Sequence, residues 1–136
     1  MADSLPPVQR SANMRRVKGQ NTRPELTVRR VLTAMGYRYR LHAKDLPGTP
    51  DIVFRGRRKA IQVHGCFWHQ HPGCTRATVP EANATFWAAK LQRNVNRDAA
   101  QMAELKASGW RVLIVWECEI RNAGKLSSRL RRFIGP

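Results

Sequence analysis

The sequence predicts a mixed α/β domain in which a central mixed sheet is flanked by helices. Apolar residues recur with helical spacing in three stretches, and shorter stretches with strand-like patterns lie between them. The predicted order is helix, three strands, helix, strand, helix, without an internal repeat or an interdomain linker. With 136 residues, 42% of them hydrophobic, the chain is long enough to bury a core. We therefore expect a single domain over residues 22–136.

The first helix is predicted to begin after Thr22. Thr22 suits the N-cap position, and Glu25 three residues later completes a capping box. Gly36 supplies the end of the helix. Glu25 also falls on the apolar face of this helix, so its carboxylate has two interpretations, a capping group or a member of a buried site. The apolar face consists of Val28, Val31, Leu32 and Met35.

Three strands are predicted to follow the first helix. Residues 37–41 alternate with period two, and residues 51–54 form a short apolar strand. A basic turn then sends the chain back, which predicts a hairpin between 51–54 and 59–64. Because Asp51 and residues 62–64 lie at the ends away from the turn, the hairpin should bring them together.

The second half of the chain predicts a long helix, a strand and a last helix. Residues 80–108 have a helical apolar stripe, with Asn94 and Asp98 on or beside it. A carboxylate in that position needs a partner, because burying it unpaired is costly. Residues 110–116 are nearly continuously apolar, the pattern of a central strand covered on both faces. The last helix is predicted from Leu126, Leu130, Phe133 and Ile134.

The chain is strongly basic, with 25 Lys and Arg against 9 Asp and Glu and a formal net charge of +16. This excess predicts binding to a polyanion through phosphate contacts, although a nucleic-acid-binding protein without activity would share it. Residues 1–21 are expected to form a flexible basic arm that orders on its partner, with a solvated tail as the alternative. No apolar stretch approaches the ~20 residues of a membrane span, and no signal-peptide pattern is present.

Residues 59–74 concentrate the metal-ligand residue types, with three of the four histidines and two of the three cysteines. Two thiolates and an imidazole from this stretch, with a third thiolate beyond residues 110–116, suit a closed tetrahedral zinc site of the structural kind. The ligands would be Cys66, His71, Cys74 and Cys118. Three cysteines cannot all pair within the chain. The alternatives are buried thiols beside an unrelated histidine, and His69 as the ligand in place of His71.

A second group of polar residues lies along the predicted hairpin and the loop after it. It comprises Asp51, Gln62, His64 and His69. The pattern resembles the Asp…(Asp/Glu)-x-Lys arrangement of many nucleases, in which an oxygen ligand holds Mg²⁺ against a phosphate and a nearby base activates water. An imidazole can be that base. Here Gln62 and His64 replace the usual acid and lysine, and the alternative is a turn aspartate beside two loop histidines.

The aromatic residues of the same loop have two interpretations. Phe67 and Trp68, beside Trp87, could wedge between bases and unstack them, or they could belong to the core. Trp87 lies on the apolar stripe of the long helix. An adjacent pair within a loop is harder to bury on both sides, so we expect exposure of Phe67 or Trp68.

Five motifs together resemble the very-short-patch repair (Vsr) family of mismatch endonucleases, in order, over about residues 10 to 121. The most specific is Val63-His-Gly-Cys-Phe-Trp-His69. The others are Arg10-Ser-Ala-Asn-Met-Arg15, Leu46-Pro-Gly-Thr-Pro-Asp51, Phe86-Trp87 with Asn94-Val-Asn-Arg-Asp98, and Gly109-Trp-Arg-Val-Leu-Ile-Val-Trp-Glu-Cys118.

The resemblance implies a restriction-endonuclease-like core of the PD-(D/E)XK type. It implies a Mg²⁺-dependent nick on the 5′ side of the thymine in a T·G mismatch, which arises when 5-methylcytosine deaminates. The implied setting is a monomer in the bacterial cytoplasm, acting on duplex DNA at the nucleoid. A mismatch-repair protein as a second partner stays open.

The resemblance also implies roles for individual residues of the catalytic group. Asp51 would bind Mg²⁺ through its carboxylate and Val63 through its backbone carbonyl, with Glu25 ordering metal-bound water. Gln62 stands where related nucleases carry a metal-binding acid, and it either approaches the metal or is merely hydrogen-bonded. The proton-transfer and phosphate roles would fall to His69 as general base, Asp98 as its orienting partner and His64 on the scissile phosphate.

For the remaining residues the resemblance implies structural zinc and contacts with DNA. Zinc would be held by Cys66, His71, Cys74 and Cys118. DNA would be entered or contacted by Phe67, Trp68, Trp87, Arg10, Asn13, Met14, Arg15 and Asn94. Two other functions stay open at this stage, a zinc-stapled DNA-binding module without catalysis and a restriction-type nuclease indifferent to mismatches.

Overall fold

The computed structural model describes residues 21–136. The predicted basic arm falls outside them except for Asn21, and so do four of the predicted DNA contacts: Arg10, Asn13, Met14 and Arg15. The elements are α1 (Arg23–Ala34), β1 (Arg40–Leu41), β2 (Ile52–Phe54), β3 (Lys59–His64), α2 (Ala84–Ala107), β4 (Arg111–Trp116) and α3 (Ala123–Ile134). Short 3₁₀ segments, Arg55–Arg57 and Glu117–Arg121, follow β2 and β4. This order is the one that the sequence predicts.

The four strands form one mixed sheet in the order β1-β2-β3-β4. β1 and β2 are antiparallel, β2 and β3 are antiparallel, and β3 and β4 are parallel. Parallel neighbours need a crossover connection, and the 24-residue α2 provides it. The predicted mixed α/β class, with a mixed sheet flanked by helices, is confirmed.

The predicted hairpin between β2 and β3 is confirmed. Ile52 faces Ile61 and Phe54 faces Lys59 across the pair. Arg58 takes a left-handed conformation with φ 53° between the strands. As expected, the far end of the hairpin brings Asp51 to Val63, whose backbone N–H donates to Asp51 Oδ2 over 2.7 Å.

The helices cover the two faces of the sheet with separate apolar cores. The larger core joins α1 and α3 to one face and consists of Val28, Leu32, Ile52, Phe54, Ile61, Val115, Leu126, Leu130 and Ile134. The smaller core joins α2 to the other face and consists of Ala43, Val53, Ala60, Leu105 and Trp110. α2 has the length of a membrane span, but none of the described helices contains a sufficiently apolar stretch to be one.

The prediction that residues 110–116 form a central strand is wrong. Within residues 21–136, β4 pairs only with β3 and is the last strand of the sheet. Helices pack on both faces, so Val115 is fully buried although the strand is at the edge. A continuous apolar stretch indicates that both faces of a strand are covered. It does not indicate that the strand has a neighbouring strand on each side.

The strand predicted over residues 37–41 is confined to Arg40 and Leu41. Tyr37 and Tyr39 are tied to neighbouring elements instead of continuing the ladder with β2. Both rings meet Phe54 edge-on, with centroids 6.2 and 6.4 Å away, and the Tyr39 hydroxyl donates to the carbonyl of Arg29 in α1. Their alternation with arginines reflects this packing under the sheet edge.

The start of α1 follows the prediction with one change. Thr22 is the N-cap, and its Oγ1 accepts from the Glu25 N–H over 3.4 Å. The Glu25 carboxylate does not close the capping box on Thr22; it accepts from the backbone N–H of Asn21 over 3.1 Å. Glu25 is only 1% exposed, so of the two interpretations its buried position favours membership of a site.

Candidate active site

The parallel pair β3 and β4 brings two functional segments together at its carboxyl end. His64, the last residue of β3, lies opposite Trp116, the last residue of β4. Cys66 lies two residues after His64, and Cys118 lies two residues after Trp116. The register therefore places both thiols at the carboxyl end of the two strands. Glu117 fastens the two segments, because its carboxylate accepts from the Cys66 N–H over 3.2 Å.

Four soft ligands form a compact cluster there: Cys66, His71, Cys74 and Cys118. Their ligand atoms all lie within 4.8 Å of one another. His71 Nδ1 is 3.7 Å from Cys66 Sγ and 3.5 Å from Cys118 Sγ, while its ring stacks on Trp116 at 4.2 Å. Of the two candidate imidazoles, the structure places His71 at the thiols.

The cluster fits tetrahedral zinc. Zinc–sulfur bonds of about 2.3 Å and zinc–nitrogen bonds of about 2.0–2.1 Å place a nitrogen and a sulfur ligand ~3.6 Å apart, which matches the two distances at His71. Burial raises the pKa of the Cys66 thiol to about 12, whereas the backbone N–H of Arg76 lowers the pKa of Cys74. A metal that binds here would therefore displace a proton from Cys66.

On the other side of the loop lies an open cleft of about 790 Å³. Asp51 stands at the start of β2 within it, with Oδ2 held by the Val63 N–H. The pKa of Asp51 is raised to about 6, mainly by burial and also by Glu25, although the Val63 hydrogen bond acts to lower it. A buried carboxylate of this kind gains most when a cation binds beside it.

His69 reaches the same cleft from the loop and pairs with α2. Its Nδ1 is 2.6 Å from Asp98 Oδ2, so the carboxylate on the stripe of α2 has the partner that its position demands. With Nδ1 engaged, Nε2 is the ring nitrogen left to exchange a proton with water or substrate. His69 and His71 are two residues apart, yet His69 lines the cleft whereas His71 contacts the cysteine thiols.

His64 is buried between the cleft and β4. It is 7% exposed, its ring stacks on His69 at 3.8 Å, and it meets Trp116 edge-on at 5.2 Å. The pKa of His64 is lowered to about 3, mainly by burial and also by His69. The ring is therefore neutral at physiological pH. Its Nδ1 is the one fully buried side-chain nitrogen or oxygen without a hydrogen-bond partner within residues 21–136.

The aromatic residues of the loop form one cluster with the start of α2. Trp87 meets Phe67 and Trp68 with centroids 5.7 and 5.9 Å apart. The expected exposure of Phe67 or Trp68 is not observed, since both are half-buried against each other and Trp87. The exposed member is Phe86, at 57%, whose ring meets Trp87 at 5.5 Å.

Asn94 and Gln62 hold positions that bear on their predicted roles. Asn94 is 7% exposed and donates from Nδ2 to the carbonyl of Trp68 over 3.2 Å, so it fastens the aromatic loop to α2. A DNA contact through Asn94 stays a prediction. Gln62 lines the cleft, and its amide reaches the Gly48 carbonyl at 3.5 Å. Contact between Gln62 and a metal also stays a prediction.

The structure adds His42, which the sequence patterns do not single out. His42 Nε2 is 2.8 Å from Glu25 Oε2, and both side chains lie beside Asp51. The 17 residues between Glu25 and His42 have no helical or strand spacing that would link them. The available signals were that His42 is the one histidine outside residues 59–74 and that it stands shortly before the turn into β2.

Comparison with known proteins identifies the relatives of this chain. The family profile described as DNA mismatch endonuclease Vsr matches residues 2–76. The chain is 49% identical over 136 residues to the Type II nicking enzyme V.XorIIP of Xanthomonas oryzae pv. oryzae, covering 100% of this chain and 99% of that protein. It is 42% identical over 127 residues to the DNA mismatch endonuclease Vsr of Escherichia coli, covering 93% of this chain and 81% of that protein.

These similarities, on a mixed α/β fold with a cleft of carboxylates and imidazoles, define the class of protein: it is a DNA endonuclease, a hydrolase acting on DNA. Within that class, the chain belongs to the Vsr family. The interpretation as a DNA-binding module without catalysis is thereby set aside.

Proposed function

We propose that the protein nicks one strand of duplex DNA on the 5′ side of the thymine in a T·G mismatch, by Mg²⁺-assisted hydrolysis on a restriction-endonuclease-like core. The observation that carries the proposal is the loop over residues 65–74. Within ten residues it contains three of the four soft ligands, two rings of the aromatic cluster and His69, which lines the same cleft as Asp51. The relative named as a DNA mismatch endonuclease supports the choice of substrate.

The hydrolytic roles follow from the contacts in the cleft. Asp51 and the backbone carbonyl of Val63 would hold Mg²⁺, which when bound neutralises charge on the phosphate and lowers the pKa of water. His69 would accept a proton from the attacking water at Nε2. Asp98 holds the ring by Nδ1 and would stabilise the imidazolium that forms.

His64, which lines the cleft, and Glu25, which lies beside Asp51, would support this chemistry. His64 is a neutral imidazole beneath His69, so it would hydrogen-bond the scissile phosphate without adding charge. Glu25 is buried and held by backbone and side-chain donors, and it would order water near the cation.

Mismatch detection would fall to the aromatic cluster of Phe67, Trp68, Trp87 and Phe86. A mispaired step is easier to unstack than a paired one, so insertion of apolar rings between base steps itself discriminates. Structural zinc on Cys66, His71, Cys74 and Cys118 would fix the loop that carries two of these rings. The net charge of +16 provides the phosphate affinity.

A second candidate function is favoured by the similarity to Type II nicking enzymes, one of which is 49% identical to this chain. In that case the enzyme would nick at a defined sequence context. The two functions differ in whether the mismatch or the flanking sequence has the larger effect on the rate.

End-labelled duplexes test both functions. Each would carry one of the twelve mismatch orientations or a paired control, in several flanking contexts, with Mg²⁺ or with EDTA. The proposal predicts one nick, 5′ of the thymine in T·G, that requires Mg²⁺ and is at least about 100-fold faster than on paired DNA. Equal cutting of paired duplex would overturn the mismatch specificity.

A further inference from the structure

A group of three side chains beside the proposed catalytic centre has an unassigned imidazole. Glu25, His42 and Asp51 offer ligand atoms that lie within 4.8 Å of one another. We propose that these three side chains bind a divalent cation with His42 Nε2 as a direct ligand, which biases the site toward first-row transition-metal ions over Mg²⁺ and Ca²⁺. The inference rests on the proposed function, because Asp51 also binds the cation there, and it makes Glu25 a direct ligand in addition to a group that orders water.

Glu25 is fixed before any cation arrives. It lies in the first turn of α1 and is 1% exposed. Its Oε1 accepts from the Asn21 N–H over 3.1 Å, and Arg29 donates to Oε2 over 3.3 Å. These donors hold the carboxylate in one orientation, with Oε2 turned to His42.

The backbone fixes His42 next to Asp51. The His42 N–H donates to the Asp51 carbonyl over 3.0 Å, which continues the β1–β2 pairing by one residue. His42 takes a left-handed conformation with φ 48°, a region where histidine, asparagine and aspartate are the usual non-glycine residues. This turn of the backbone directs the imidazole to Glu25.

The charges of the group call for a cation. Asp51 Oδ2 accepts from Val63, while Oδ1 accepts no hydrogen bond from residues 21–136. Arg29 forms an ion pair with Glu25, and His42 is hydrogen-bonded to the same carboxylate. Asp51 has no arginine or lysine partner within the described part of the chain. Two buried carboxylates this close are costly unless a further positive charge lies between them.

The distances fit a six-coordinate ion. With metal–ligand bonds of about 2.1 Å, adjacent ligands of an octahedron are about 3.0 Å apart. Without a cation, His42 Nε2 and Glu25 Oε2 form a hydrogen bond of 2.8 Å, a separation close to that value, so a cation bound between them would move the shared proton off Nε2. Shifts of a few tenths of an ångström would complete the set, because opposite ligands of the same octahedron are about 4.2 Å apart and the three atoms now lie within 4.8 Å.

The choice of cation follows from the ligand types. Oxygen ligands alone suit Mg²⁺ and Ca²⁺, whereas an imidazole adds affinity for first-row transition-metal ions. Mn²⁺ is the appropriate probe, since it is paramagnetic and competes poorly with zinc for cysteine thiolates.

The test uses the full chain with its zinc content verified, without DNA, and Mn²⁺ as the added metal. Electron spin-echo modulation of bound Mn²⁺ reports whether an imidazole nitrogen is directly coordinated. The unaltered chain should show the ¹⁴N modulation, and His42→Asn should abolish it. Asparagine suits the left-handed backbone and keeps a polar side chain beside Glu25. His69→Gln, which removes the other accessible imidazole of the cleft, should retain the modulation.

Affinity provides a second readout. Titration of the free Mn²⁺ signal should give at least about tenfold weaker binding in His42→Asn, as for loss of a supporting ligand. The affinity for Mg²⁺, measured by competition, should change less. Modulation that persists in His42→Asn, or its absence from the unaltered chain despite bound Mn²⁺, would overturn the inference. Those results leave the proposed function intact, which fails instead if the unaltered chain does not nick T·G duplex with Mg²⁺.

Discussion

The two ligand clusters at the carboxyl end of β3 and β4 lie side by side and have opposite properties. The Cys66/His71/Cys74/Cys118 cluster is closed and soft and is linked to the ends of both strands. The cleft with Asp51, His64 and His69 is open and lined by carboxylate and imidazole groups. The pKa of Asp51 is raised, and the buried His64 Nδ1 has no hydrogen-bond partner among residues 21–136. The first arrangement stabilises the fold. In the second, the buried Asp51 carboxylate and His64 imidazole destabilise the free protein, and a bound cation or substrate would relieve that cost.

A matched pair of variants two residues apart, at His69 and His71, should separate the properties of the two clusters most strongly. His69→Gln should lower the single-turnover nicking rate by about 10²–10⁴, the usual contribution of a general base, with zinc content and thermal stability nearly unchanged. His71→Gln should lose zinc and stability first. Nicking gels, metal analysis and thermal unfolding measure these effects. Zinc loss in His69→Gln would reverse the assignment of the two imidazoles.

Removal of the soft cluster should cost several kcal/mol of unfolding free energy, because metal binding and folding are coupled in structural zinc sites. Cys118→Ser is the direct test, since Cys118 joins the end of β4 to the loop through His71. Denaturant unfolding with a zinc assay measures the change. A variant that retains zinc and full stability would show that the cluster is a set of buried thiols.

Asp51→Asn should have the opposite effect on stability. The folded-state pKa of Asp51 is about 6 and its ordinary value is 3.8, so the folded chain binds the extra proton between these pH values and its stability falls as pH rises through them. In Mg²⁺-free buffer at pH 7.5, Asp51→Asn should be more stable by about 1–3 kcal/mol. The gain should vanish near pH 4, while nicking is lost. A destabilised variant at pH 7.5 would contradict this.

The shifted pKa of His64 gives the opposite dependence of stability on pH from that of Asp51. It is lowered from 6.5 to about 3 in the folded chain, so the unfolded chain binds the proton more readily and stability is lost as pH falls below about 6.5. His64→Gln should therefore flatten the loss of stability between pH 6.5 and 4, measured by denaturant midpoints at each pH. An unchanged pH profile would show that His64 titrates normally.

The smallest expected effect concerns the link between α2 and the loop. Asn94→Ala removes the hydrogen bond to the Trp68 carbonyl and should cost about 1 kcal/mol. Its partner is the loop that carries both the aromatic cluster and His69, so the rate on T·G duplex should fall further than stability alone explains. Asn96, exposed on the same helix, offers a control through Asn96→Ala, with no loss of rate.

The sequence predicts the helices and the β2–β3 hairpin because their signals are local. Periodicity, the Thr22 cap and the Gly36 stop lie within one or two turns of one another, and the structure has α1 where they place it. The edge position of β4 and the absence of strand pairing at residues 37–39 could not be predicted in this way, because they depend on which elements pack against them. A continuous apolar stretch has the same pattern in a central strand as in an edge strand that helices cover on both faces.

The candidate site divides in the same way. Residues 64–71 lie close together in the sequence, and the hairpin predicts that Asp51 lies near residues 62–64. The helix stripe predicts only that Asp98 needs a partner, and His69 as that partner is what the family resemblance implies. His42 could not be found by those means, since it meets Glu25 across 17 residues through the pairing of β1 with β2. The half-burial of Phe67 and Trp68 likewise depends on the packing of α2, which no local pattern specifies.

We expect the loop over residues 65–74 to couple unstacking of the mismatch to cutting. Single-turnover nicking of T·G duplex by the Phe67→Ala, Trp68→Ala double variant tests it most directly, with zinc content as the control for loop structure. We expect a loss of about 100-fold or more at saturating enzyme, because the proposed wedge between the bases would be gone and the phosphate would no longer meet His69. Full nicking activity in a zinc-loaded double variant would contradict it.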